Sequence, residues 1–200
     1  MLPWTLLLAA LAQPAPAPAP PPWHVSAEVY TYVVPDDTNY AQPTVTADRG
    51  RLRLEGRFNY EARDTGSAWL GCNFGGGEDS WWALTPMFGA VFGDTTGGAA
   101  GYKGWLSGRR LEFYSEGEWV VDAKSSSDSF FYNWSQLTVA LVDWLRVGVV
   151  TQRTRAYGAE RDLQRGLLVG VSRGKVEVST TIFNPDDAKP TVVFTVSIHF

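Results

Sequence analysis

From residue 23 onward, hydrophobic and polar residues alternate with a period of two, and turn residues interrupt the alternation at short intervals. In residues 51–62 (RLRLEGRFNYEA), charged and amide side chains share one face, and leucine, phenylalanine and tyrosine share the other. The same alternation recurs in residues 111–119 (LEFYSEGEW) and 176–183 (VEVSTTIF). A period of two is the repeat of a β-strand, and helical periodicity is almost absent. The pattern therefore predicts an all-β protein.

The breaks in the alternation divide the chain into about twelve strands, joined by short turns after the even-numbered strands and mostly by longer loops after the odd-numbered ones. Such a meander is typical of an antiparallel up-and-down transmembrane β-barrel, and an even strand count places both termini at the short-turn, periplasmic end. Ten strands remain an alternative because two of the segments are short and contain Pro43 or Gly104. The predicted strands are 23–34, 42–47, 51–62, 67–75, 80–92, 102–107, 110–121, 129–142, 144–156, 163–173, 175–183 and 190–200.

Composition narrows the classes of function. The chain has 9 Trp, 8 Tyr, 10 Phe and 20 Gly, which suits a β-protein. The formal net charge is -4 and there is no basic block, so we expect no nucleic-acid partner. A single cysteine excludes an intramolecular disulfide and a multi-cysteine zinc site, and two histidines leave little room for another metal site. We expect no cofactor.

The first 22 residues differ from the rest of the chain. Residues 1–12 have the length of a signal-peptide hydrophobic region and end in an A-x-A sequence, although no Lys or Arg precedes the apolar run. Residues 13–22 form a Pro/Ala-rich spacer of extended character. We therefore predict a signal peptide over 1–12, a spacer over 13–22 and a β-barrel domain over 23–200. The alternative is that the first segment is a hydrophobic element of the mature fold.

The last strand carries a more specific signal, because it ends the chain on an aromatic residue with apolar residues at every second position before it. This resembles the C-terminal assembly signal of Gram-negative outer-membrane β-barrel proteins. The resemblance implies export to the cell outer membrane, contact with outer-membrane lipid, and recognition by the barrel-assembly machinery during insertion. By default such a barrel is a monomer. The residues that match the signal are Phe194, Val196, Ile198 and Phe200.

Alternation alone does not say which face points outward. A secreted, water-soluble β-barrel or β-sandwich that binds a hydrophobic ligand would turn the apolar rows inward. The terminal phenylalanine, the unequal loops and a set of aromatic residues near strand ends favour the membrane orientation, since such residues form girdles at membrane interfaces. The predicted girdle residues are Trp23, Trp69, Trp82, Trp119, Trp144, Tyr60 and Tyr102.

With the apolar face toward lipid, side chains of both charges enter the lumen. A barrel of twelve strands lies between the filled eight-stranded and the open sixteen-stranded barrels. We therefore predict a narrow or partly plugged lumen held by Arg–Glu pairs, which serves either as a small-solute channel or only as a structural plug. The candidate lumen residues are Arg51, Arg53, Glu55, Arg57, Glu61, Glu112, Glu116, Glu118, Arg146 and Glu177, together with Glu28.

No catalytic constellation is evident, so we expect no enzyme; an outer-membrane lipid-modifying enzyme is the remaining alternative. Pairing of the first strand with the last would make His24 and His199 neighbours inside the lumen, where we expect polar residues without a catalytic role. Pro86 interrupts an otherwise long strand. Because proline removes a hydrogen-bond donor from the ladder and a closed barrel has no edge, a β-bulge is predicted there.

Overall fold

The computed structural model describes residues 20–156 and 162–200, which form one antiparallel sheet that closes on itself. The predicted signal peptide and most of the spacer lie outside the described residues. The strands are β1 (His24–Val33), β2 (Tyr40–Arg49), β3 (Leu52–Phe58), β4 (Thr65–Cys72), β5 (Phe74–Gly76), β6 (Ser80–Gly93), β7 (Gly97–Gly108), β8 (Leu111–Asp122), β9 (Phe130–Val142), β10 (Leu145–Ala156), β11 (Asp162–Arg173), β12 (Val176–Phe183) and β13 (Thr191–His199).

Apart from β4 and β5, strands adjacent in sequence pair antiparallel around the barrel, and β1 pairs with β13. The short β5 continues β4 beyond Asn73, and both segments pair with β6. The thirteen segments therefore occupy twelve positions in the wall, and the pairing of the terminal strands leaves no open edge. The predicted antiparallel up-and-down barrel of about twelve strands is confirmed.

The apolar rows face outward along the wall. On β3, Leu52, Leu54 and Phe58 are 40%, 43% and 46% exposed, whereas Glu55 and Arg57 between them are only 3% and 7% exposed. This arrangement is the inverse of a water-soluble barrel, whose charged rows would face solvent. An apolar exterior around a polar lumen is the pattern of transmembrane barrels.

The two ends of the barrel differ as predicted. The start of β1, the end of β13 and the turns 50–51, 77–79, 109–110, 143–144 and 174–175 lie at one end, here called the terminal end. Gly50 and Gly174 adopt positive φ angles of 59° and 62° in two of these tight turns, a conformation that favours glycine. The opposite loop end carries connections 34–39, 59–64, 94–96, 123–129 and 184–190, and residues 157–161 lie outside the described part of the chain.

The longer loops are tied to one another by exposed ion pairs. Arg63 contacts Asp37 at 2.9 Å, and Lys189 contacts Asp36 at 2.5 Å. The hydrogen bond from Arg63, together with the Thr38 backbone N–H, lowers the pKa of the Asp37 carboxyl below its ordinary value.

The described part of the chain contains no helix long and apolar enough to cross a membrane.

The bulge predicted at Pro86 is absent. From Gly71↔Met87 to Phe74↔Leu84 both strands advance by three residues, so neither strand contains an extra residue. Pairing is instead interrupted opposite Pro86, which has no N–H to donate. Side chains bridge the gap, since the Thr85 hydroxyl lies 2.7 Å from Asn73 Oδ1.

Of the seven predicted girdle residues, five are exposed on the barrel exterior and two point into the lumen. The exposed ones are Trp23, Trp82, Trp119, Trp144 and Tyr102, although Tyr102 lies in the middle of β7 rather than near a strand end. Trp69 is only 3% exposed and points into the lumen, and Tyr60 turns inward to donate a hydrogen bond to Glu116. These two side chains find polar partners inside the barrel, which their position near strand ends did not reveal.

Candidate functional site

The lumen is divided along the barrel axis. At the terminal end lies a cavity of about 420 Å³, here called the vestibule. Its wall combines charged, hydroxyl and aromatic side chains from most of the strands. The charged and histidine side chains that line it are His24, Glu28, Asp48, Arg53, Lys103, Glu112, Arg146, Glu177 and His199, and its aromatic lining includes Tyr30, Trp105, Tyr114 and Trp134.

Arg57 on β3 is the centre of a buried ionic network behind the vestibule. Its Nε donates to Glu55 Oε1 at 2.6 Å, and its Nη1 donates to Glu118 Oε2 at 2.7 Å. Nη1 also lies 3.5 Å from Glu61 Oε1. Because Glu118 belongs to β8, the Arg57–Glu118 contact crosses the lumen and restricts its width.

Aromatic rings enclose the Arg57 guanidinium. Its central carbon lies 4.3 Å from the Tyr60 ring centroid and 4.5 Å from that of Trp69. The Trp69 indole N–H donates to Ser67 Oγ at 2.9 Å and to Glu61 Oε1 at 3.2 Å. A planar cation between aromatic faces and carboxylates satisfies both its charge and its apolar surfaces, which a flexible lysine would do less well.

Lys103 on β7 extends this network toward the vestibule. Its Nζ lies 2.8 Å from Glu55 Oε1 and 3.7 Å from Glu116 Oε2. Glu116 also accepts hydrogen bonds from the hydroxyls of Tyr60 and Tyr114, the latter at 2.6 Å. Lys103 was not identified as a lumen residue from the sequence. The signal that could have identified it is the alternation along its strand, where it lies between Tyr102 and Gly104.

Apolar side chains fill the loop end of the lumen. Tyr32, Val193 and Phe183 belong to one buried cluster there, and Val91 and Val120 belong to a second. The ring of Phe183 packs edge-on against Trp134 with centroids 5.5 Å apart. Every wall position thus contributes a buried side chain: Tyr32, Gln42, Arg57, Trp69, Met87, Ala99, Val120, Trp134, Val150, Leu168, Phe183 and Val193. The lumen is therefore partly filled by the wall's own side chains.

The structure brings most of the sequence-predicted lumen residues into two groups. Glu55, Arg57, Glu61, Glu116 and Glu118 form the buried network. Arg53 links it to the vestibule through Asp48 at 3.7 Å and Glu55 at 3.4 Å. The second group is at the terminal end, where Arg146 pairs with Glu177 and with Glu112 at 3.4 Å.

Arg51 does not join either group. It lies in the exposed turn before β3, and its guanidinium carbon is 5.5 Å from the Phe74 ring centroid. The alternation assigned it inward because the strand was predicted to begin one residue too early. His24 and His199, by contrast, both line the vestibule, as the pairing of the terminal strands required.

Comparison with known proteins gives likeness in fold without likeness in sequence. No protein family matches the chain, and no curated protein sequence matches it. A solved structure of the KdgM porin is similar, with a TM-score of 0.63, 8% identity, and coverage of 88% of this chain and 99% of that one. The Acinetobacter baumannii outer membrane protein Omp33 gives a TM-score of 0.50, 10% identity, and coverage of 90% and 99%. The chain therefore has the β-barrel fold of outer-membrane porins.

Proposed function

We propose that this protein is an outer-membrane barrel that conducts small solutes through a narrow, partly plugged lumen. The single observation that supports this function is the vestibule of about 420 Å³, which leads to an ionic constriction at Arg57 and Glu118. The porin-like fold agrees with this proposal, in which the protein is a channel rather than an enzyme.

The proposed topology follows from the fold. The apolar exterior contacts outer-membrane lipid, the terminal end faces the periplasm, and the longer loops face outward. Residues 1–12 direct export, and the assembly machinery recognises the segment that contains Phe200. Solutes then enter the vestibule from the periplasmic side, or leave through it, and pass the network and the apolar clusters at the loop end when these side chains rearrange.

Planar-bilayer recording tests this function. We expect purified, refolded protein to give small, discrete conductance steps, because the lumen is constricted. The double variant R57A/E118A should increase the step size, since it removes both partners of the contact that crosses the lumen. The matched control is D37A/R63A, which removes an exposed ion pair in the loops.

The outcome depends on folding, which heat-modifiable migration in gels monitors independently. Larger steps from folded R57A/E118A, with unchanged steps from D37A/R63A, support a channel constricted at the network. Absence of current from all three folded proteins contradicts the channel and leaves a structural barrel.

A further inference from the structure

We propose that the lumen takes up cations in preference to anions. The preference is relevant to transport only if the proposed channel function holds. The preference itself can be measured whether or not the protein conducts. The vestibule and the network behind it contain eight carboxylates and four cationic side chains among the residues the structure describes. The carboxylates are Glu28, Asp48, Glu55, Glu61, Glu112, Glu116, Glu118 and Glu177, and the cations are Arg53, Arg57, Lys103 and Arg146.

Each of the four cations is shared between carboxylates. Arg57 contacts three of them, and each of the other cations contacts two: Asp48 and Glu55 for Arg53, Glu55 and Glu116 for Lys103, and Glu112 and Glu177 for Arg146. Glu28 on the vestibule wall accepts a hydrogen bond from Ser197 at 2.6 Å, and it forms no ion pair within the described part of the chain. The lumen is therefore short of positive charge.

Two buried oxygens give independent support. Glu61 Oε2 and Glu118 Oε1 have no hydrogen-bond donor among the described residues, and their side chains are only 0% and 4% exposed. Arg53 Nε and Arg146 Nε likewise have no acceptor there, but these two side chains are 16% and 22% exposed and line the vestibule. Glu118 also borders a void of about 10 Å³, close to the size that one water molecule needs. Buried carboxylate oxygens require a donor or a positive charge, and a water molecule or small cation entering from the vestibule supplies it.

The electrostatic consequence follows from the shape of the site. A cavity lined by an excess of one charge, with low-dielectric walls, concentrates the field and raises the local concentration of counter-ions. Carboxylate-lined pores admit cations for this reason. We infer that small inorganic and organic cations are the solutes that this lumen favours.

Thiol modification measures the preference whether or not the protein conducts. In a C72S background, S26C places a thiol in the vestibule, where Ser26 lines the wall. Cationic and anionic methanethiosulfonates of similar size are then compared, with their rates normalised to a free thiol. We expect the cationic reagent to be favoured about tenfold or more. In the matched control S126C, in an exposed loop, the ratio should stay near that of the free thiol.

The contribution of the carboxylates is tested by adding E28Q and E177Q to S26C, which should reduce the preference severalfold. A ratio at S26C equal to the free-thiol ratio, or in favour of the anionic reagent, overturns the inference. If the bilayer experiment gives current, its reversal potential in a KCl gradient must also have the sign of cation selectivity. If the thiol experiment shows a preference for the cationic reagent but no current is recorded, the channel function is contradicted and the charge preference stands. If current is recorded with anion selectivity, the charge preference is contradicted and the channel function stands.

Discussion

At the residue scale, Arg57 holds the buried network together. Its guanidinium is the shared partner of Glu55, Glu61 and Glu118, and all four side chains are at most 4% exposed. Removing one partner from a buried ionic network leaves uncompensated charges in a medium of low dielectric constant. The stability of the barrel therefore depends less on the attraction within the network than on the cost of the unpaired buried charges that removal of Arg57 would create.

The variant R57M tests this role. Methionine keeps much of the apolar volume but leaves Glu61 and Glu118 without a cation, whereas Glu55 keeps its contacts with Arg53 and Lys103. We therefore expect the free energy of unfolding to fall by about 3–5 kcal/mol. Urea-induced unfolding of the refolded barrel in vesicles measures the change. The control R63M breaks an exposed pair, which contributes little, and should leave the unfolding midpoint unchanged. Equal midpoints for the two variants would contradict a central role of Arg57.

Sequence reasoning assigned most lumen charges to the correct face but did not identify their partners. Alternation shows on which side of a strand Arg57 lies, yet contact with Glu118 also depends on the depth of each residue and on the width of the barrel. The inward turn of Tyr60 toward Glu116 was missed because the strand ends at Phe58, which the alternation did not show. Trp69 alternates with the outward Ala68 and Leu70, so the pattern itself placed it inward, and only its hydrogen-bond partners required the structure.

At the element scale, β13 combines two roles. Its inward face contributes Val193 and Thr195 to the filled lumen, and its outward face presents Phe194 and Val196. Beyond its end, the Phe200 backbone N–H donates to the Val25 carbonyl at 2.9 Å, while its side chain is 68% exposed. The phenyl ring therefore adds little to packing within the barrel, which fits a role in assembly.

The variant F200A separates assembly from stability. In cells, we expect less folded barrel in the outer membrane, because the assembly signal is weakened. The purified and refolded variant should unfold at the same urea concentration as the parent protein. F88A is the control, since Phe88 is a similarly exposed aromatic on the outer wall of β6. An equal loss of folded protein from both variants would contradict a special role for Phe200.

The strand pattern was the most predictable level of the structure. Each strand repeats the same alternation, and turn residues mark its ends, so all twelve positions and most of their bounds were found. The exceptions are β7, which begins at Gly97 rather than at residue 102, and β3, which ends at Phe58 rather than at residue 62. The bulge at Pro86 was wrong because a missing donor does not require an inserted residue. The sequence did not show that Asn73 and Thr85 would bridge the interrupted pairing through their side chains.

At the scale of the whole molecule, the barrel is asymmetric along its axis. Charged side chains surround an open vestibule at the terminal end, and apolar clusters fill the lumen at the loop end. The apolar filling was not predicted. An inward valine or leucine that lies between outward apolar residues weakens the alternation, and nothing else in the sequence distinguishes it from its outward neighbours. The β11 sequence GLLVGV is an example, with Leu168 inside and Leu167 and Val169 outside.

The central claim is that the apolar rows contact lipid while the polar rows line the lumen. The most direct test uses spin labels at V196C and S197C, each in a C72S background and reconstituted in bilayers. The measurement is the rate at which each label collides with oxygen and with a water-soluble nickel complex. We expect the label at 196 to collide mainly with oxygen, which dissolves in lipid, and the label at 197 to collide relatively more with the nickel complex in the vestibule. A label at 196 that is shielded from both reagents, as in a dry protein core, would contradict this orientation.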